Sequence, residues 1–312
     1  MKTILFCNTT APQCGVYQYG MHLATGLTAS SKFNVVYFEP KDEGQMCEIL
    51  RQHNACAVFY NWHPDQGGWM RGAPFKGLNA KQFLIYHDWD AQAEKWDAVL
   101  ISDPTMSDHD KWYSIPRPLP VWTPTPAAPI NHECPTLGVH GFGGASADWL
   151  VTRAMDEYDN AVVRLHLPWA HYGDNAGVEA RKMADLCRQH VRKKPSIELQ
   201  ISHHWMSVPR LLAWLSLNDM NVYLRDPAPE WPGVSSALDS ALAVRRPLAV
   251  NKCKGFRHVH GCTPSICLEH RSLKAILATN TEPLTGLYAV HSRESLVRRV
   301  EQILVLQGIN AD

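Results

Sequence analysis

One segment of the chain gathers the residue types that hold a phosphate and a sugar. RDPAPEWPGVSSALD, Arg225 to Asp239, reads as strand end, Pro/Gly loop and helix start. Gly233 permits close backbone approach, Val234 follows it, and Ser235 and Ser236 offer capping hydroxyls. Free N–H groups and the helix dipole at such a start suit a phosphate or diphosphate. Asp239, one turn in, can take ribose hydroxyls. The alternative is an ordinary loop-to-helix join with a serine cap. A second constellation is His87-Asp88-Trp89-Asp90. Its imidazole and first carboxylate can hydrogen-bond a reacting centre, and its two carboxylates can hold a divalent cation. Asp88 as a cap of the next helix is the alternative.

These residues need a frame, and the apolar runs supply one. Thr3–Cys7, Val35–Glu39, Ala57–Asn61, Phe83–Asp88 and Ala98–Asp103 read as buried strands, with a helical pattern from Tyr17 to Leu27 between the first two. Seven prolines between Pro116 and Pro135 exclude helix and central strand, so an extended, stiff connector is expected there. The rhythm then restarts with strands at Thr136–Phe142, Val162–Leu167, Ile197–Ser202, Val222–Arg225 and Leu248–Asn251. Helices at Ser146–Tyr158 and Ser207–Leu217 each begin on a serine placed as N-cap. A last helix, about Ser292 to Leu306, carries Leu296, Val300, Ile303 and Leu304 on one face. The pattern predicts α/β architecture with parallel sheets and crossover helices.

In open parallel sheets, ligands sit at the carboxyl ends of strands. After the first strand, Gly15 opens a helix. After the first strand of the second half come Gly141, Gly143 and Gly144, which allow close backbone approach. Arg164 and His166 alternate on the next strand and so share a face. His203 ends the third, and Arg225 the fourth. A tight turn, a solvated arginine and core histidines are the competing explanations. Of six tryptophans in the first half, Trp62 and Trp69 are expected to line an acceptor site and the others to pack.

GVSSALDSALAVRRPLAV, Gly233 to Val250, resembles the donor-binding segment of retaining GT-B glycosyltransferases, of the family 4 kind. Asp239 matches the second acid of that family's Glu-seven-residues-Glu motif. Glu230 lies one residue too far upstream to be the first, and Trp231 stands in its place. The resemblance implies two Rossmann-like domains facing across a cleft, with a C-terminal helix able to return to the first domain. Mapped here, residues 1–115 form an acceptor domain, 116–135 the connector, 136–291 the nucleotide-sugar donor domain and 292–312 the C-terminal helix. It implies that Gly15 and Gly143 face the donor. His87 and Asp88 match the "HD" beside the sugar, whereas Asp88-x-Asp90 resembles the metal motif of the GT-A fold. Because the helix site accounts for diphosphate binding, the first reading is preferred and no metal or other cofactor is expected. Arg164, with Arg225 in reserve, would neutralise the leaving diphosphate, and His203 lies near where the family holds its base.

The implied activity is transfer of a sugar from a nucleotide-diphosphate sugar to an acceptor hydroxyl on a glycan, lipid-linked glycan, small molecule or modified DNA base. A sugar-nucleotide epimerase, a non-catalytic nucleotide-sugar binder and a phage-type enzyme acting on DNA bases are the rivals. Zero formal net charge over 312 residues advertises no polyanion surface. At 45% hydrophobic, the chain can bury a substantial core. Nine cysteines without framework spacing point to a reducing compartment, and neither a signal-peptide core nor a membrane span is apparent. A cytoplasmic protein is expected. Cys253, His258, His260, Cys262 and Cys267 could ligate zinc, but their spacing fits no standard finger or ribbon.

Overall fold

The computed structural model describes residues 1–63, 74–75, 77–87, 93–123, 129–141, 146–169, 174, 176–226 and 233–310. The chain divides into two compact units, one of Met1–Leu119 with Ala289–Asp312, the other of Pro120–Tyr288.

The first unit holds a six-stranded parallel sheet of β1 (Lys2–Cys7), β2 (Phe33–Phe38), β3 (Ala55–Asn61), β4 (Lys81–Tyr86), β5 (Ala98–Ile101) and β6 (Trp112–Ser114), in the order β2-β1-β3-β4-β5-β6. Its strands read as unbroken apolar runs because both faces are covered. On one face Ile4, Phe6, Phe59 and Phe83 meet α1 (Gly15–Leu27), whose Tyr19, Leu23 and Leu27 recur at helical spacing. On the other, Leu5, Val58 and Leu84 meet Met46 of α2 (Glu43–Gln52).

The second unit holds a five-stranded parallel sheet of β7 (Thr136–His140), β8 (Ala161–His166), β9 (Ile197–Ser202), β10 (Met220–Tyr223) and β11 (Leu248–Val250), ordered β11-β10-β7-β8-β9. Its helices are α3 (Ala147–Glu157), α4 (Val178–Val191), α5 (Val208–Ser216), α6 (Ala237–Ala243) and α7 (Leu273–Ala278). α3 packs on α4 and α7, and α5 on α6. α8 (Thr285–Val290) and α9 (Arg293–Leu306) follow.

α9 returns to the first unit. Leu296, Val300, Ile303 and Leu304 enter the same core as Ile4, Phe6 and Leu23, each contributing about 1.5–3 kcal/mol by burial. A Cβ on Gly26 would lie 2.8 Å from Leu296 Cδ2, so the close approach of α9 to α1 depends on that glycine. Arg293 closes the contact, donating to Thr25 O (2.9 Å) and Gly26 O (3.2 Å) at the carbonyl end of α1.

The described residues of 116–135 contain neither helix nor strand, and Arg117 among them is only 1% exposed. Two local readings of the sequence need correcting. Neither Ser146 nor Ser207 caps its helix through its side chain; Ser146 is left-handed (φ 67°), outside the extended geometry a cap requires. Ser236 precedes α6 in right-handed helical geometry and makes no side-chain cap either.

Candidate functional site

The carboxyl ends of the first sheet carry a saturated polar cluster. Asn8 follows β1, Asn61 ends β3 and His87 follows β4. The Asn61 carboxamide donates both hydrogens, to Asn8 Oδ1 (2.6 Å) and Val16 O (2.7 Å), and His87 Nε2 lies 2.6 Å from its Oδ1. Both asparagines are 2% exposed, where an unmade hydrogen bond is costly. Gly20 makes room for them: a Cβ there would stand 2.2 Å from Asn61 Nδ2 and 2.3 Å from Asn8 Oδ1.

Beside this cluster the Arg117 guanidinium lies 4.7 Å over the Tyr19 ring and donates to Ser102 O (2.8 Å), while its backbone N–H donates to His291 Nδ1 (3.1 Å). Burial, reinforced by this cation, holds the pKa values of His22 and His291 down to about 4. Burial, then Arg117 and His63, holds that of His87 at about 3. His87 is therefore neutral at physiological pH while part of its surface remains exposed. A pKa so low makes it a poor general base.

At the carboxyl ends of the second sheet, His140, His166 and Ser202 are register neighbours. Tyr223 OH pairs with His140 Nδ1 and Ser202 Oγ with His166 Nδ1 (2.8 Å). Burial lowers His140 to about 3 and His166 to about 4, with His166 also opposed by His204. His203 Nδ1 lies 2.9 Å from Leu167 O, an acceptor, so that nitrogen carries hydrogen. Arg225 follows β10, and its backbone exchanges hydrogen bonds with the Asn251 carboxamide (3.0 and 2.6 Å). Gly233, Val234, Ser235 and Ser236 lead into α6, anchored by Ser235 N–H to Gly255 O (2.8 Å). Asp239 is buried one turn inside α6. A cavity of about 300 Å³ opens by these strand ends, between Leu224, Asn251 and Glu269 and the α3 residues Trp149, Arg153 and Asp156.

Gly15 is the first residue of α1. Arg164 shares a face with His166, since both reach Trp214, but its guanidinium is committed to Trp214 O (3.1 Å) and Asn218 Oδ1 (2.7 Å). Trp62 is 7% exposed and packs in the core with Leu5 and Val58; it does not line an open site. Asp88, Asp90, Gly143, Trp69, Glu230 and Trp231 lie outside the described residues. Among the described residues no three His, Cys, Asp or Glu side chains are grouped to hold a metal ion, the Cys253–Cys267 stretch included. Sequence reasoning did not single out Asn8, Asn61, Arg117 or Tyr223. Only the position of each asparagine at the end of an apolar run could have marked it.

No protein-family model matches the chain, and no curated protein matches it in sequence. Solved structures match it throughout. The chain is similar to Anabaena HepE, solved in complex with UDP-glucose, at 10% identity and a TM-score of 0.62 over 98% of this chain and 100% of that one. A UDP-forming α,α-trehalose-phosphate synthase from Burkholderia xenovorans matches at 9% identity and TM-score 0.55, over 100% and 99%. An α-glucosyltransferase in complex with UDP matches at 9% identity and TM-score 0.53, over 100% and 96%. Among the described residues no helix is long and apolar enough to cross a membrane. With two all-parallel α/β sheets, a C-terminal helix that rejoins the first, and solved relatives that correspond over their whole length, this chain is built on the GT-B fold.

Proposed function

We propose that the protein is a glycosyltransferase that moves a hexose from a nucleotide-diphosphate sugar to an acceptor hydroxyl without a metal ion. The observation that carries this reading is the end-to-end likeness to proteins solved with UDP-glucose or UDP. Arg225 and the loop from Gly233 to Ser236 would meet the diphosphate, and Asp239 the ribose. A cation and fixed amides aimed at the departing diphosphate stabilise charge that grows in the transition state. Gly15 and His87, at the carboxyl edge of the first sheet, would meet the sugar, and the resemblance assigns Asp88 to the same role. The resemblance to family 4 points to retention of anomeric configuration. All nine cysteines are free thiols, which favours a reducing compartment such as the cytoplasm.

Thermal denaturation with UDP, GDP, dTDP, ADP, CDP and their glucose conjugates tests the donor site, with and without EDTA. One nucleotide family at 100 times its Kd should stabilise the protein by about 2.7 kcal/mol, unchanged by EDTA. No shift with any nucleotide would overturn the reading, and a shift that EDTA abolishes would overturn the metal-free mechanism.

A further inference from the structure

The cluster around Asn61 continues beyond Asn8, and its bonds have a direction. Asn8 Nδ2 donates to Tyr17 O (3.1 Å) and to Tyr37 Oη (2.8 Å). Tyr37 O–H donates to Glu39 Oε1 (2.6 Å), which also accepts from Tyr17 O–H (2.7 Å). Tyr37 lies near the end of β2 and Glu39 just past it, Asn8 just past β1, Asn61 at the end of β3 and His87 just past β4. These are four consecutive neighbours in the sheet, so the chain of bonds crosses its carboxyl edge strand by strand.

Each link has one permitted direction. An ionised carboxylate only accepts, so Tyr37 and Tyr17 must donate to Glu39. Backbone carbonyls only accept, so Val16 O and Tyr17 O settle which way the two carboxamides face. The Asn61 oxygen is then the atom presented to His87, and Nε2 must carry the hydrogen between them. A neutral ring protonated at Nε2 has its lone pair at Nδ1. Burial, Arg117 and His63 keep the ring neutral, and Tyr19 holds it edge-on at 5.1 Å.

We propose that Asn61, oriented through Asn8 and Tyr37 by the Glu39 carboxylate, is a positioning residue that locks His87 in the Nε2–H tautomer and reserves its Nδ1 lone pair for a sugar hydroxyl. The last clause rests on the sugar-transfer reading; the tautomer does not. A hydroxyl donating to Nδ1 is held in one orientation by an acceptor that can neither rotate nor exchange its proton position. Sulfate and the diesterified phosphates of a nucleotide sugar carry no proton to give at pH 7, so the site selects a sugar hydroxyl over those anions.

Two-bond ¹H–¹⁵N correlation spectra of the full-length protein at pH 7 test the tautomer, with the His87 ring assigned by its disappearance in His87→Gln. The wild type should show one neutral ring with hydrogen on Nε2. In Asn61→Ala the nitrogen shifts should move toward a mixture of tautomers. Hydrogen on Nδ1 in the wild type, or an unmixed Nε2–H ring in Asn61→Ala, would overturn the proposal. Should Asn61→Ala fail to fold, the wild-type spectrum alone decides. Where the wild type turns over a nucleotide sugar, Asn61→Ala should lose on the order of 10²-fold in kcat while nucleotide Kd stays within about twofold. Equal loss in both would make Asn61 merely structural. A wild type that binds and turns over no nucleotide sugar removes the sugar-transfer reading and with it the hydroxyl role, while the spectra still decide the tautomer.

Discussion

Both units bury a pair of asparagines against a glycine, and they do so at opposite ends of their sheets. In the first, Asn8 and Asn61 sit past the carboxyl ends of β1 and β3, in the space left by Gly20. In the second, Asn218 donates to Asn221 Oδ1 (2.7 Å) at the amino end of β10, and a Cβ on Gly138 would stand 1.9 Å from Asn218 Nδ2. The second pair accepts from Arg164 and ties α5 to the sheet. The first pair leads to His87, a largely buried histidine with part of its surface exposed. A buried carboxamide pair is thus a structural lock in both places, and only at the carboxyl edge does its last oxygen reach a group that can meet a ligand. The carboxyl edge of the second sheet is organised differently, in separate pairs, His140 with Tyr223 and His166 with Ser202.

Acid should separate the two units most strongly. Among the described residues the first contains three histidines whose folded pKa is depressed to about 3 or 4, His22, His87 and His291; the second contains two, His140 and His166, with His260 lowered less by its burial. Below the unfolded value of about 6.5 the unfolded chain takes up protons that the folded chain refuses. Stability is therefore complete above that pH and falls toward pH 4, by up to about 1.4 kcal/mol per pH unit for each histidine. Urea titrations followed by hydrogen exchange between pH 7 and 4 should show the first unit losing stability on the steeper slope. Equal slopes would mean that burial and the Arg117 charge together depress the first unit's histidines no further than burial depresses those of the second.

The glycine pair gives the next largest effect. Gly20→Ala and Gly138→Ala should each cost about 2–4 kcal/mol in urea denaturation, through overpacking and broken carboxamide bonds. Only Gly20→Ala should disturb the His87 ring nitrogens. If Gly138→Ala moved them equally, the two locks would not be independent. Smallest are the caps. Ser292→Ala, which removes a bond to Ser295 N–H at the start of α9, should cost about 1 kcal/mol in Tm-derived stability. Ser236→Ala, at an uncapped start in the second unit, should stay within about 0.5 kcal/mol.

The sheets were legible because parallel strands covered on both faces leave continuous apolar runs, and Ile197–Ser202 coincides with β9 residue for residue. α2 left no such trace, since Met46 is its one fully buried side chain, and β6 is three residues long. Helix caps were misread at Ser146, Ser207 and Ser236 because composition shows the hydroxyl but not the backbone angles or the bond that make it a cap. His87 stood out as a histidine ending an apolar run. Its partners did not: Asn8 and Asn61 are separated by 53 positions, and the need for Gly20 arises only where a helix presses on two strand ends. Arg117 sits in a proline-rich stretch whose composition suggests an exposed linker, yet its guanidinium is among the most deeply buried groups in the protein.

The return of α9 also sets a timetable. Leu296, Val300, Ile303, Leu304 and Ile309 belong to the core of the first unit, yet they follow the whole of the second unit in the chain. During synthesis the contiguous second unit, Pro120–Tyr288, leaves the ribosome with all its parts while the first still lacks one side of its hydrophobic interior. The part that begins first is finished last, and until α9 emerges the apolar side of α1 that will receive it must wait uncovered.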